Sequence, residues 1–329
     1  MQFSCDPGPR LGGERLPGLH SAATQARCRI VGVSERHGGG RVKSDETSDV
    51  FEAERSRLFG LAYRLLGSAA EAEDVVQDAW LRWNRSVNVD VPAAWLTKVV
   101  TNLSLNVLTS ARVRRAAYPG PWLPEPVRTD AGALGPVETV EQRESVSYGL
   151  LVLLERLTPA ERAVFVLREA FGHSHREVAD ILGVSENHSR QLHLRARERV
   201  AGPHRRHRAD PAAHRRIVER FMAATLHGDV AALETLLADD VVAWMDGGGT
   251  TAARRPVHGR DRVLRYLLGL SRRPEAGRVE IVIAEVNGEP AALLWDEGVL
   301  RAVMVLDAEG DRVVRVRTIA AVAKLAAMG

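Results

Sequence analysis

Residues 158–199 read TPAERAVFVLREAFGHSHREVADILGVSENHSRQLHLRARER, and this stretch decides how the rest of the chain is organised. Thr158-Pro159-Ala160-Glu161 combines a cap residue, proline at the first helical position and a glutamate placed to close a capping box. The apolar run Val164, Phe165, Val166, Leu167 continues the helix so opened. Glu177–Leu182 gives one further apolar turn, Gly183 supplies a left-handed stop, and Ser185 can cap a third helix bearing Asn187, His188, Arg190, Gln191, His193, Arg195 and Arg197. Two short helices and a turn that deliver a basic helix have the spacing of a helix-turn-helix. Arginine forks onto guanine O6 and N7, asparagine or glutamine onto adenine N6 and N7, and further arginines pin phosphates. A solvated arginine-rich face on an ordinary domain has the same composition. Gly183, which lets two helices cross steeply, weighs for DNA.

Composition sets the bounds. At 329 residues, 45% hydrophobic and 26% charged, the chain has room for two or three folded domains. Net charge is only +3, but basic residues cluster at Arg195, Arg197, Arg199, Arg205, Arg206, Arg208, Arg215 and Arg216, a local field suited to a polyanion. The two cysteines, Cys5 and Cys28, fall in an irregular leader, so neither a disulfide framework nor a metal cluster is expected in the main body, and no cofactor is called for. A cytoplasmic setting fits. No apolar run approaches a membrane span and the first residues lack the apolar centre of a signal peptide.

Working outward, residues 1–45 carry Gly38-Gly39-Gly40 and no period, and are expected to be a disordered leader or an over-extended start. An all-helical domain is expected over 46–117. Leu58, Leu61, Ala62 and Leu65 share one helical face before Gly67, and Ser68 with Glu71 opens a second helix whose face carries Val75, Val76, Ala79, Trp80 and Trp83. A third helix from Pro92 turns Leu96, Val99, Val100, Leu103 and Val107 inward. Residues 118–139, with Tyr118-Pro119-Gly120-Pro121-Trp122-Leu123-Pro124-Glu125-Pro126, are expected to form a semi-rigid linker, since proline removes donors and holds its predecessor extended. Helices resume near Val140, and the helix-turn-helix domain runs over 140–203, to about Gly202-Pro203. Residues 210–329 read as α+β: helices over 211–227 and 229–238, the turn Asp246-Gly247-Gly248-Gly249, a helix over 261–270, and antiparallel strands, among them a hairpin at Asn287-Gly288.

Taken together, Ala72–Trp83 (AEDVVQDAWLRW) resembles region two of an extracytoplasmic-function sigma factor of the sigma-70 family, and the helix-turn-helix resembles region four. Ala94-Trp95-Leu96-Thr97, the Tyr118–Pro126 linker and the Asp246–Gly249 loop resemble the subgroup with a C-terminal SnoaL-like domain, a cone of the nuclear transport factor 2-like kind. The resemblance implies promoter DNA and core RNA polymerase as partners. Region two would dock on the β′ clamp helices and engage the −10 element, region four would sit at the β flap and read the −35 element, and the linker would thread the polymerase cleft. An acidic and apolar face of Asp74, Gln77, Asp78 and Trp80 suits a basic coiled coil; Lys98, Asn102, Asn106, Arg112, Arg114 and Arg115 suit separated DNA strands. Trp80, Trp83 and Trp95 equally suit a core.

The SnoaL-like domain is expected to regulate in cis, its Asp246, Gly247, Gly248, Gly249 loop contacting the sigma domains or polymerase. The fold also hosts enzymes, and Asp246 near Trp244 and Met245 has the makings of a general base, with His227 or His258 as available partners; a plain glycine turn explains it as well. An unidentified small ligand of the cone stays open. Related chains end in an Asn-Pro-Asp-Lys-Leu-like motif, of which Ala321-Val322-Ala323-Lys324-Leu325 keeps only Lys324 and Leu325. Two other readings remain: a polymerase-independent repressor and a SnoaL-like enzyme on a DNA anchor.

Overall fold

The computed structural model describes residues 40–86, 89–130, 146–201, 210–249, 255–272 and 277–328. The chain falls into a short unit, residues 1–42, and one continuous body, residues 43–329. Helix α1 (Gly40–Leu66) begins inside the stretch expected to be leader and ends where Gly67 takes φ +66°. Ser68 accepts a hydrogen bond from Glu71 N to cap α2 (Ala69–Trp83), and Pro92 opens α3 (Pro92–Ala116). The apolar stripes predicted for these helices are the buried ones, from Leu58, Leu61 and Leu65 through Val75 and Val76 to Leu96 and Val100.

After a non-helical segment, residues 117–130, come α4 (Tyr148–Leu154), α5 (Pro159–Glu169), α6 (His175–Leu182) and α7 (Glu186–Val200). The expected helical restart at Val140 and the Gly202-Pro203 end lie outside the described residues. Both reciprocal bonds of the Thr158–Glu161 capping box are made, and Ser174 with Glu177 forms a second box that the sequence reading passed over. Gly183 caps α6 at φ +67°, and Ser185 accepts from His188 N to start α7. The helix-turn-helix is thus built as its residues require.

The two helical modules do not form separate cores. One apolar cluster runs from Leu58 and Leu61 of α1 through Val76 of α2 and Val100 of α3 to Leu154, Val164, Leu167 and Val178 of α4–α6. α3 packs on both α5 and α6, and buried Arg162 of α5 donates to Leu65 O at 2.8 Å.

The last region opens with α8 (Pro211–His227), capped by Asp210, and α9 (Val230–Leu236). β1 (Leu237–Asp246) and β2 (Val257–His258) precede α10 (Arg260–Ser271); β3 (Glu280–Val286), β4 (Glu289–Asp296), β5 (Val299–Glu309) and β6 (Arg312–Ile319) follow, then α11 (Val322–Leu325) and a 3-10 turn over Ala326–Met328. The strands form one sheet ordered β2-β1-β6-β5-β4-β3. The antiparallel expectation holds for every pair except β1 and β6, which run parallel. β1 lies between β2 and β6, and its end is tied to the end of β6, where the Asp246 carbonyl accepts from Ala320 N and Ala321 N. One sheet face buries Ala292, Met304, Leu306 and Val316 under α8–α10. The other buries Leu293, Val303, Val305 and Ile319 beneath Leu123 and Tyr148, residues of the linker and of α4.

Candidate nucleic-acid interface and linker dock

On α7 the core face is Ser189, Leu192, Ala196 and Val200. The remaining faces expose Asn187, His188, Arg190, Gln191, Arg195 and Arg197. Arg190 is lightly held by an exposed pair with Glu186, and Arg195 Nε donates to Gln191 O at 3.4 Å, so both guanidinium groups stay at the surface. His193 stands apart. Its Nε2 meets Glu169 Oε1 at 2.8 Å, its ring lies 5.4 Å from His175, and only 13% of the side chain is exposed. It ties α7 to α5 and does not face solvent as expected. His175 Nδ1 lies 3.1 Å from Ser189 Oγ, which ties α6 to α7. Burial, then the charge of Arg168, holds the His175 imidazole below its ordinary range, and burial does the same at His173. Leu194, 60% exposed on the same outward surface, is an apolar group of the kind that meets a thymine methyl, and residue-type reasoning about polar readers missed it.

On α3, Lys98, Asn102 and Asn106 recur every four residues and are all exposed, forming one polar stripe. Arg112 has its side chain outside the described residues. Arg114 reaches back to Glu71 Oε1 at 2.6 Å. Arg115 turns inward: it donates to Glu155 Oε2 and to Leu66 O, each at 2.6 Å, and stacks 3.7 Å over Trp122. It therefore does not join the stripe with which the sequence grouped it. On α2, Asp74, Gln77 and Asp78 are exposed, whereas Trp80 leans on Phe51 at 5.0 Å and Trp83 is buried, its indole N–H donating to Thr47 O. Trp83 and Trp95 pack against each other at 5.7 Å, the core role that was their alternative.

The Asp246 loop meets the linker. Asp246 is 1% exposed, and both its carboxylate oxygens are occupied: Oδ1 accepts from Tyr118 OH at 2.5 Å and Gly248 N at 3.2 Å, Oδ2 from Leu123 N at 2.9 Å and Lys324 Nζ at 2.6 Å. A carboxylate so committed has no free lone pair directed at a substrate, and neither His227 nor His258 is its partner: His227 bonds Ala223 O, and His258 is exposed on β2. Lys324 also donates to Leu123 O and lies 4.1 Å over the Trp122 ring. Burial lowers its proton affinity, and Asp246 works against that. Gly249, at φ +88°, touches the linker so closely that a Cβ there would sit 2.7 Å from Pro119 Cγ. The loop was expected to contact the sigma domains or polymerase; the structure sets it against the linker between them.

Further along, Glu125 leaves the linker to accept from Ser68 Oγ, Ala69 N and Ala70 N, capping α2 from outside. Tyr148 OH donates to Pro124 O at 2.5 Å. Arg128 bridges to Val286 at the β3 edge, and Thr129 N donates to Glu285 O.

Residues 50–114 match the family model for sigma-70 region 2, residues 149–200 that for sigma-70 region 4, and residues 218–323 that for a SnoaL-like domain. Over 246 residues the chain is 44% identical to the ECF RNA polymerase sigma factor SigJ of Mycobacterium tuberculosis, covering 74% of this chain and 79% of that protein. The chain belongs to the extracytoplasmic-function sigma factors. A second relative, the probable ECF RNA polymerase sigma factor SigI of the same species, is 31% identical over 279 residues, 84% of this chain and 93% of SigI. The crystal structure of M. tuberculosis SigJ superposes with a TM-score of 0.69 at 37% identity, over 85% of this chain and 98% of that one.

In this sigma factor the exposed halves of the two predicted DNA faces, on α3 and α7, lie on helices that share one core. The sequence reading found the loop residues Asp246–Gly249 but missed Lys324, Glu125, Tyr148 and Asn287, all of which hold the linker or its neighbours. Lys324 was legible as the retained part of a motif. Asn287 was legible only as a turn residue, because a hairpin signal says nothing of what its tip touches.

Proposed function

We propose that this chain is a cytoplasmic sigma subunit without catalysis of its own, whose SnoaL-like domain holds it closed until core RNA polymerase separates its two promoter-binding modules. α2 offers Asp74, Gln77 and Asp78, with exposed Leu81, to the basic β′ clamp helices; α3 offers Lys98, Asn102 and Asn106 to the −10 region; α7 offers Asn187, Arg190, Gln191 and Arg195 to the −35 region and stands against the β flap.

The single observation that carries the closed reading is the shared core. The −10 and −35 boxes are centred about 25 base pairs apart, roughly 85 Å of B-DNA at ~3.4 Å per step. Two modules sealed in one apolar cluster, with α3 packed on α5 and α6, do not extend over such a span. Opening must separate α3 from the helix-turn-helix and release a linker that Asp246, Lys324, Glu125 and Asn287 pin at both ends. Full occupancy of the Asp246 carboxylate supports a docking role for this loop over a general-base role.

Run-off transcription with core polymerase tests the proposal, comparing the full chain with one ending at Arg208. Promoter-specific transcript from both, in amounts that differ between them, is expected. Footprinting of duplex DNA by the free protein with no transcript on any template would instead indicate a repressor.

A further inference from the structure

The tip of the β3–β4 hairpin holds a second contact between the regions, independent of the Asp246 loop. Asn287 and Gly288 take φ +53° and +71°, the two left-handed residues of a tight hairpin, where asparagine is the side chain best tolerated after glycine. Such a tip is ordinarily polar because water surrounds it. Here Asn287 is 0% exposed, and both its amide nitrogen and its amide oxygen are bonded. Nδ2 donates to Tyr63 OH of α1 at 2.7 Å and to Val146 O, just before α4, at 3.1 Å, while Oδ1 accepts from Val127 N of the linker at 3.1 Å. The Asn287 backbone N–H donates in addition to Val127 O at 2.9 Å. Tyr63, itself 0% exposed, donates its hydroxyl hydrogen bond to Glu125 O at 2.6 Å.

We infer that Asn287 is the clasp of the closed molecule: a side chain that joins the first helical module, the linker and the entry to the second module to the SnoaL-like sheet at a single point, so that its release uncouples the two promoter-binding modules. This rests on the closed reading above and adds the residue that enforces it. A carboxamide supplies two donors and one acceptor in one plane, and the three groups around it require that set. Aspartate has the same shape but no donor. It would set a charge against the Val146 carbonyl and leave it unbonded, which a buried cluster tolerates poorly. Glycine keeps the left-handed backbone and removes the amide alone. Because the bonds run between the SnoaL-like hairpin and the helical body, their loss weakens that joint without removing any apolar side chain from either, and that distinguishes a clasp from an ordinary turn residue.

The test is the distance between the modules in the full chain, read by energy transfer between dyes on cysteines placed at exposed Arg82 of α2 and Asp180 of α6, with Cys5 and Cys28 replaced by serine. In the otherwise unaltered chain a short distance free in solution and a long one on core polymerase are expected; a long distance in the free chain would overturn the closed reading itself. Given a closed free chain, Asn287→Gly and Asn287→Asp should raise the open-to-closed ratio about tenfold or more, aspartate the further of the two, with helix content and the polymerase-bound distance unchanged. Tyr63→Phe attacks the same joint from the other module and should open the chain in the same direction. If the free distance stays short in both Asn287 variants and in Tyr63→Phe, Asn287 is not the clasp, whatever the standing of the closed state.

Discussion

Asp246 and Lys324 show how a residue's surroundings replace the role its type suggests. An aspartate beside tryptophan and methionine suits a raised-pKa base, yet its oxygens are filled by Tyr118, Gly248, Leu123 and Lys324, and the lysine is itself enclosed by Trp122 and Tyr118. Removing one partner of a buried pair strands the other charge, so Asp246→Ala should cost about 3–5 kcal/mol of unfolding free energy in urea titration. Adding Lys324→Met should recover a substantial part, a coupling that a double-mutant cycle measures directly. On α7, Arg190→Ala and Gln191→Ala should each weaken binding to the cognate −35 sequence by about 1–3 kcal/mol while leaving phosphate-driven binding to random DNA nearly intact. Equal losses on both DNAs in a binding titration would move base readout elsewhere on the helix. The types and spacing of these exposed residues were visible in the sequence. That His193 and Arg115 turn inward was not, because a titratable or basic residue looks alike on either face until its partners, Glu169 and Glu155, are brought near.

At the level of the element, local chemistry carried most of the information. The Thr158–Glu161 box, Gly183 and Ser185 set the helix-turn-helix where they were expected, since caps and left-handed stops act within a few residues. The parallel pairing of β1 with β6 was hidden, because strand direction depends on a partner some seventy residues away (237–246 against 312–319). α11 bears on the eroded terminal motif. Ala321 stands at its N-cap without a side-chain bond, and Val322, 84% exposed, follows where a proline suits the first helical position. Ala321 already has the extended backbone that precedes proline, φ −68° and ψ 113°. Val322→Pro should therefore raise stability by about 0.4–1 kcal/mol, read as a rise in thermal midpoint.

The helix-turn-helix should also respond to acid. His173 and His175 titrate, when folded, below the 6.5 of the free side chain, chiefly through burial. The unfolded chain then binds more protons, so their contribution is complete above pH 6.5 and is lost as pH falls from there toward the folded values. The thermal midpoint of the helical body should drop as pH falls below about 6.5, and His175→Gln should flatten that slope.

For the molecule as a whole, two helical regions followed by an α+β region were legible in order from composition shifts, the proline-rich stretch and the change from helical to alternating periodicity. Their arrangement was not. The linker read as a tether, since proline fixes local direction and says nothing about docking, whereas the structure lays Tyr118–Thr129 against the SnoaL-like sheet and caps α2 with Glu125. Glu125→Ala should release the linker from α2 while leaving its bonds to the SnoaL-like sheet in place. Promoter-directed transcription should then depend less on the C-terminal domain, so that in run-off assays the full-length variant approaches the output of the chain ending at Arg208.

The sequence by itself determined the helices, their caps, the basic outward face of α7 and the family, because periodicity and capping are encoded within a few residues of where they act. Only the tertiary structure decided that the two helical modules share one core, that Asp246 and Asn287 grip the linker, and that β1 runs parallel to β6. Those facts depend on burial of apolar area and satisfaction of polar groups between segments as far apart as Tyr63 and Asn287, and no local signal records which distant group will complete a buried hydrogen bond.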